Sequence, residues 1–259
     1  MSEEMKALRE QLLRNDKNGY DTLDEAQSRE MEAYCTDYKA FLNAGKTERL
    51  SARAAIAAAE AKGFVQYKRG MALKAGDKVY TCNRGKGLML AVIGKESLAE
   101  GAQIAAAHID SPRLDLKPTP LYEDSEMAYF KTHYYGGIRK YQWVTIPLQL
   151  RGVVAKKDGS VVDVGTGEAG EPQLVITDLL PHLGGEQGRK PLNEAVPGET
   201  LNLLVGSRPI GDSEDKDRVK LHVMKRLHDK YGITESDFAS AELEAVPAAE
   251  AVDIGIDGS

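Results

Sequence analysis

The 259-residue sequence is short of cysteine, of aromatic side chains and of positive charge, and each shortage narrows what the chain can be. Two cysteines, Cys35 and Cys82, cannot build a disulfide framework, and their separation fits no zinc-finger spacing. They read as reduced, structural thiols of a cytoplasmic protein. Lys and Arg number 34 against 40 Asp and Glu, a formal net charge of −6, whereas a nucleic-acid binder usually carries a basic surplus. No apolar run reaches the ~18 residues of a membrane span, and the opening Met-Ser-Glu-Glu-Met-Lys has no apolar secretory core. The sequence holds no His-Glu-x-x-His, no Cys-x-x-Cys and no complete Gly-x-x-x-x-Gly-Lys-Ser/Thr loop, so the compact metal and nucleotide signatures do not explain it. Internal repeats and low-complexity stretches are missing as well.

What is present is ordinary for a globular protein: 42% hydrophobic and 29% charged residues, in a chain long enough for one or two cores. The first 60 or so residues read as helices. Thr22 and Glu25 have capping-box spacing, and Ala26, Met31, Tyr34, Tyr38 and Phe41 then recur at helical intervals before Gly45. An Ala-rich helix follows from about Ser51, a candidate N-cap, to Gly63, a candidate C-terminal stop. From Phe64 the period changes. Val79–Cys82, Leu88–Ile93 and Ile104–His108 are short apolar runs that suit strands covered on both faces. Helices followed by such strands suggest one half of an α/β layered sheet.

Pro112, Pro118 and Pro120 make residues 111–120 the best candidate boundary between domains. Beyond it, strand-like runs at 143–150, 152–155 and 161–164 include a type I′ hairpin signal at Asp158-Gly159. Further strands are expected at 173–176 and 201–205, and residues 111–211 read as a mostly antiparallel β block. Leu221, Met224, Leu227 and Tyr231 form a helical stripe that Gly232 ends. A short helix opening at Thr234–Asp237 and a strand at 241–246 close the pattern. The resulting division is 1–110, 111–240 and 241–259.

His108-Ile109-Asp110 ends an apolar run. On an extended chain two residues apart point to the same side, so an imidazole could bind metal while the carboxylate orients it or another ligand. By spacing alone it could equally be a hydrogen-bonded histidine at a strand end. Ser111 completes a Ser-His-Asp trio, but without a Gly-x-Ser-x-Gly elbow and just before Pro112 it reads as a turn residue. Phe130, Tyr134, Tyr135, Tyr141 and Trp143 interleave with Lys131, Arg139 and Lys140. That pattern suits either a stacking face for single-stranded nucleic acid or a β core with a glycine turn, and the acidic balance favours the core. By local pattern His182 is a structural histidine, and His133, His222 and His228 are surface or helix-face residues.

Several ordered stretches then resemble one family. Asn83-Arg-Gly-Lys86, Ala91-Val-Ile-Gly94, Ala107-His-Ile-Asp-Ser-Pro-Arg-Leu-Asp-Leu-Lys-Pro118, Lys131-Thr-His-Tyr-Tyr-Gly-Gly137, Lys140-Tyr-Gln-Trp-Val-Thr-Ile-Pro-Leu148, Leu201-Asn-Leu-Leu-Val-Gly206 and Ala241-Glu-Leu-Glu-Ala-Val-Pro247 are similar to the aspartyl aminopeptidases, the family of vacuolar aminopeptidase I. The resemblance covers the chain from about Tyr80 onward. It implies a three-layer α/β/α metallopeptidase domain interrupted by a β-rich dimerisation domain, two zinc ions per complete site, a peptide substrate losing N-terminal (often acidic) residues, and a large homo-oligomer. It matches His108 to the first zinc ligand, Asp110 to the neighbouring carboxylate that orients the site, and His182 to a histidine that reaches a partner subunit's active site. It also implies that a bridging aspartate, paired glutamates, a further aspartate and a final histidine would follow residue 259. Zinc catalysis needs three or four protein ligands and a carboxylate base, so the chain alone is expected to be an inactive portion of such an enzyme. Two other readings stay open: a non-enzymatic dimerisation or interfering subunit, and an unrelated β-rich binding module.

Overall fold

The computed structural model describes residues 2–14, 16–168 and 170–258 and is a mixed α/β molecule. It has two compact units: the chain up to Phe41 together with the stretch from Val252, and Leu42–Ala251. In the first unit, α1 (Glu3–Leu12) is capped by Ser2, whose hydroxyl accepts from the Met5 amide. The helix expected before Gly45 is α2 (Glu25–Ala44), but its cap differs from the expected one. Asp24 and Gln27 form the reciprocal box, each side chain accepting from the other's backbone N–H. The Thr22 hydroxyl instead donates to the Gly19 carbonyl and closes a 3-10 turn. Glu25 is already the first helical residue, so the residue three places after the true cap is Gln27. Tyr34 and Tyr38, one helical turn apart, stack at 6.2 Å and stay exposed. Lys39 pairs with Asp253.

The second unit opens with α3 (Glu48–Ala61), capped by Thr47 through the Leu50 amide and followed by Gly63 at φ +83°. Ser51, expected as the cap, is buried within the helix and donates to the Gly45 carbonyl. A three-stranded sheet follows: β1 (Val65–Gln66) runs parallel to β2 (Lys78–Asn83), which pairs antiparallel with β3 (Gly87–Val92). The expectation of strands covered on both faces fails here, since Met89, Leu90 and Val92 face solvent. Ile104–His108 is not a strand. An extended segment needs a neighbour to take its backbone hydrogen bonds, and no described residue pairs with it.

The β block is a six-stranded, wholly antiparallel sheet in the order β7-β6-β9-β4-β5-β8. Its members are β4 (Arg113–Asp124), β5 (Met127–Tyr135), β6 (Leu148–Ala155), β7 (Val161–Thr166), β8 (Leu203–Gly206) and β9 (Ala241–Pro247). Pro118 and Pro120 sit inside β4, where the register with β5 shifts between Leu116 and Leu121, so the ladder does not need their missing N–H groups. The β4–β5 turn is Ser125-Glu126, both at positive φ as a type I′ turn requires. At Asp158-Gly159, where that turn was expected, only Gly159 has positive φ; the Gly159 amide bonds to the Lys156 carbonyl, a type I turn with a glycine bulge. β9, assigned by the sequence division to the returning segment, hydrogen-bonds to both β6 and β4.

One face of this sheet is the core: Leu114, Leu148, Leu150, Leu203 and Ala245 are fully covered, with Phe130, Trp143 and Phe238 packed among them. A single turn, α4 (Leu192–Ala195), precedes β8. α5 (Arg218–Tyr231) then packs through Val219, Val223, Leu227 and Tyr231, and Gly232 ends it at φ +63°. Leu221, expected on that stripe, points to solvent, and Val219 takes the buried position. The Glu123 side chain accepts from the Lys220 amide and so caps α5 from β4. The short helix expected to open at Thr234–Asp237 is a 3-10 helix, Glu235–Ser240, and Thr234 and Asp237 form a capping box at its start.

Candidate metal centre

The sheet's other face, beneath α3, is built from charge. Alternation along β9 puts Leu243 and Ala245 in the core and leaves Glu242 and Glu244 on this side. Register sets Asp115 of β4 and Arg151 of β6 opposite Glu244, and Arg113 opposite Tyr135 of β5. Arg113, nearly buried, pairs with Asp115 (2.7 Å), with Glu48 of α3 (3.2 Å) and with Glu244 (3.5 Å). Arg49 and Lys86 close on Glu242, and Lys86 also reaches Glu48.

Among the described residues, Glu48, Glu242 and Glu244 are the only three metal-ligating side chains whose ligand atoms lie within 4.8 Å of one another. Their donor set nevertheless fits a metal poorly. Every oxygen but Glu244 Oε2 already faces a cation, so a divalent ion would have to displace Arg49, Lys86 or Arg113. An ion-pair network describes the group better. Burial pushes the Glu244 carboxyl up to about 7, and the charge of Glu48 adds to the rise against the pull of Arg113. Burial also pushes Glu242 upward, but Lys86 and Arg49 outweigh it and hold that carboxyl below its usual range.

At the rim of this network lies the His-x-Asp pair. Residues 101–112 have no regular structure, yet His108 and Asp110 meet as two-residue spacing suggests. His108 Nδ1 is 3.3 Å from Asp110 Oδ1 and 3.0 Å from the Asp110 carbonyl. The imidazole side chain is 84% exposed, and among the described residues no hydrogen bond or ion pair engages its Nε2. Asp110 Oδ2 accepts from the Tyr135 hydroxyl at 2.8 Å, which holds the carboxyl below its usual range and raises the phenol. The Arg113 guanidinium lies over the Tyr135 ring, 4.0 Å from its centroid. One residue beyond Asp110, Ser111 and Pro112 begin the wall of a cleft of about 730 Å³ that Lys46, Arg139, Trp143 and Glu250 also line.

The structure does not bring His182 to this pair. It lies on an exposed loop with Leu179, Leu180 and Leu183, and among the described residues no hydrogen bond or ion pair engages it. His222 and His228 bond through Nδ1 to the Arg208 and Ile233 carbonyls. Phe130 and Trp143 are core residues, which removes them from any stacking face. Tyr135, Arg113 and Glu244 carry roles that sequence reasoning missed. The glutamates left a readable signal, the alternation Glu-Leu-Glu-Ala in β9, whereas Tyr135 and Arg113 meet through strand register.

Residues 41–259 match the family described as aminopeptidase I zinc metalloprotease (M18). A probable M18 family aminopeptidase 1 of Clostridium acetobutylicum is 49% identical over 253 residues, covering 96% of this chain and 54% of that protein. The crystal structure of an M18 family aminopeptidase from Thermotoga maritima superposes with a TM-score of 0.88 at 39% identity, over 95% of this chain and 53% of that one. The Saccharomyces cerevisiae mApe1 dodecamer, 17% identical with a TM-score of 0.64 over 88% of this chain and 51% of that one, shares the fold. The chain thus spans about half the length of the curated relatives it matches. No helix among the described residues is long and apolar enough to cross a membrane.

Proposed function

Because the chain belongs to the M18 family of aminopeptidase I zinc metalloproteases, we propose that its protein is a zinc aminopeptidase that releases N-terminal residues, acidic ones among them, from peptides. The observation that carries the reading is His108 with Nδ1 turned to Asp110 and Nε2 facing outward. That is the arrangement of a metal-binding histidine whose second nitrogen a carboxylate holds. This donor set fits one arm of a zinc site. Zinc, when bound, polarises a scissile carbonyl and lowers the pKa of water. Within this chain, His108 supplies a ligand and Asp110 fixes its ring and tautomer, with the adjoining cleft left to receive the peptide end.

A hydrolytic zinc site needs three or four protein ligands and a carboxylate base. The described residues place one imidazole and one orienting carboxylate at the pair, so we propose that this chain is inactive by itself. Purified, it should turn over no aminopeptidase substrate with added zinc or cobalt. Turnover that a chelator abolishes would contradict this. The same shortage of ligands favours a second reading, a dimerisation or interfering subunit that binds a complete enzyme without cleaving peptides.

We further propose that the antiparallel sheet is the dimerisation domain, inserted near residue 111, of a cytoplasmic homo-oligomer. His182 would be its contribution to a partner's site, a role its exposed, leucine-rich loop suits. Because β9 is paired on both edges, we place the far boundary after Pro247. A monomer at micromolar concentration in the ultracentrifuge would count against the assembly, and limited proteolysis should release a resistant unit that includes β4 through β9.

A further inference from the structure

We infer that Tyr135 is a positioning residue that ties the His108-Ile109-Asp110 segment to the six-stranded sheet, and that the buried charge network serves it by fixing Arg113. The inference rests on the metal-ligand reading of His108, although the tether itself is independent of metal.

Residues 102–112 belong to no ladder, and no backbone hydrogen bond joins them to the rest of the described chain. A segment held so loosely cannot by itself keep an imidazole in one orientation, because each unfixed residue retains its backbone freedom. Its one hydrogen bond to the rest of the described chain is Tyr135 Oη–H to Asp110 Oδ2, at 2.8 Å. The donor end of that bond is firmly placed. Tyr135 closes β5 opposite Arg113, the first residue of β4. The Arg113 guanidinium covers the ring, and that guanidinium is immobilised by Asp115, Glu48 and Glu244.

Occupying Oδ2 turns Oδ1 toward His108 Nδ1. Together with the Asp110 carbonyl, 3.0 Å from the same nitrogen, this biases the ring to carry its proton on Nδ1 and leaves the Nε2 lone pair for a metal. Tyr135 touches neither metal nor substrate in this scheme. It acts through Asp110, and the sheet's charged face acts through Tyr135. The sheet thus shapes a site to which it adds no ligand.

Tyr135→Phe removes the hydroxyl and keeps the ring that Arg113 covers, so the fold should persist, with an unchanged thermal midpoint. In the isotopically labelled, metal-free chain, backbone order parameters at Ile109 and Asp110 should fall from near 0.85 toward 0.6 in Tyr135→Phe. The Nδ1–H tautomer of His108 should lose its dominance at a pH where the ring is neutral. Arg113→Gln should loosen the same residues with the phenol still present. Unchanged order parameters and tautomer in Tyr135→Phe overturn the inference whatever happens to zinc.

In the protein expressed from its complete coding sequence, chelator competition should show Tyr135→Phe weakening zinc about tenfold, the lower end expected for outer partners of a ligand. The double variant with Asp110→Asn should be no weaker than Asp110→Asn alone, because Tyr135 acts on His108 only through the Asp110 carboxylate. Losses that multiply would overturn the relay. Zinc held equally well by His108→Ala would sink the metal reading and leave the tether to be judged by the order parameters.

Discussion

Leu114, Leu148 and Leu150 of the six-stranded sheet are at most 1% exposed, whereas Met89, Leu90 and Val92 of the three-stranded sheet are 68%, 44% and 59% exposed. The two sheets are written in similar apolar runs. What separates them is cover: the larger sheet lies under α5 and the Glu235–Ser240 turn, while the outer strand of the smaller one stands bare among the described residues. Stability should therefore be concentrated in the larger sheet, because the hydrophobic term scales with area removed from water. Four substitutions test that division.

The largest effect is expected at Gly152, which sits in β6 at φ +145° against β9. An added Cβ would lie 1.9 Å from the Glu242 carbonyl oxygen, so the neighbouring strands β6 and β9 would have to part. Gly152→Ala should cost ~3 kcal/mol or more in urea unfolding, in line with forced backbone strain. A neutral outcome would show that β6 and β9 are not so closely paired. Leu114→Ala, in the fully covered core between β5 and β9, should cost about 2–5 kcal/mol by cavity formation.

The third test concerns the charged face. Glu244 has a folded pKa of about 7 against 4.5 unprotected. The folded state therefore holds its proton more tightly, and stability from this group is full below pH 4.5 and is lost as pH rises toward 7. Glu244→Gln, which cannot ionise, should match the wild type near pH 4 and exceed it above pH 7, by at most ~3 kcal/mol from the size of the shift. A difference that does not vary with pH would place Glu244 outside the buried network. The smallest effect is expected at Leu90→Ala in β3, within about 0.5 kcal/mol, as for exposed positions generally. A loss as large as at Leu114 would break the comparison, because it would mean that β3 is covered in solution.

The contrast also explains what could be read from sequence. α2, α3, α5, β2, β3, β6, β7 and β9 were legible because their patterns are local, in apolar period or terminal glycine. The hairpin of β4 and β5 was not. Pro118 and Pro120 read as breakers, although a register shift accommodates them, and Ser125-Glu126 turns the chain without glycine. Ile104–His108 read as a strand because its residues suit one, and a strand also needs a neighbour. At the site, two-residue spacing was enough to anticipate that His108 and Asp110 would meet. Tyr135 and Arg113 were invisible because cross-strand register brings them together, and Glu48 joins them from 65 residues upstream of Arg113.

The most direct test of the account is zinc retention by the protein expressed from its complete coding sequence, measured by chelator competition for the wild type and for His108→Ala. A metal site that loses one of its ligands should bind more than about 100-fold more weakly, beyond the roughly 10–100-fold loss expected from an outer partner. Equal retention in the two proteins, with the fold intact, would contradict the assignment of this imidazole as a ligand.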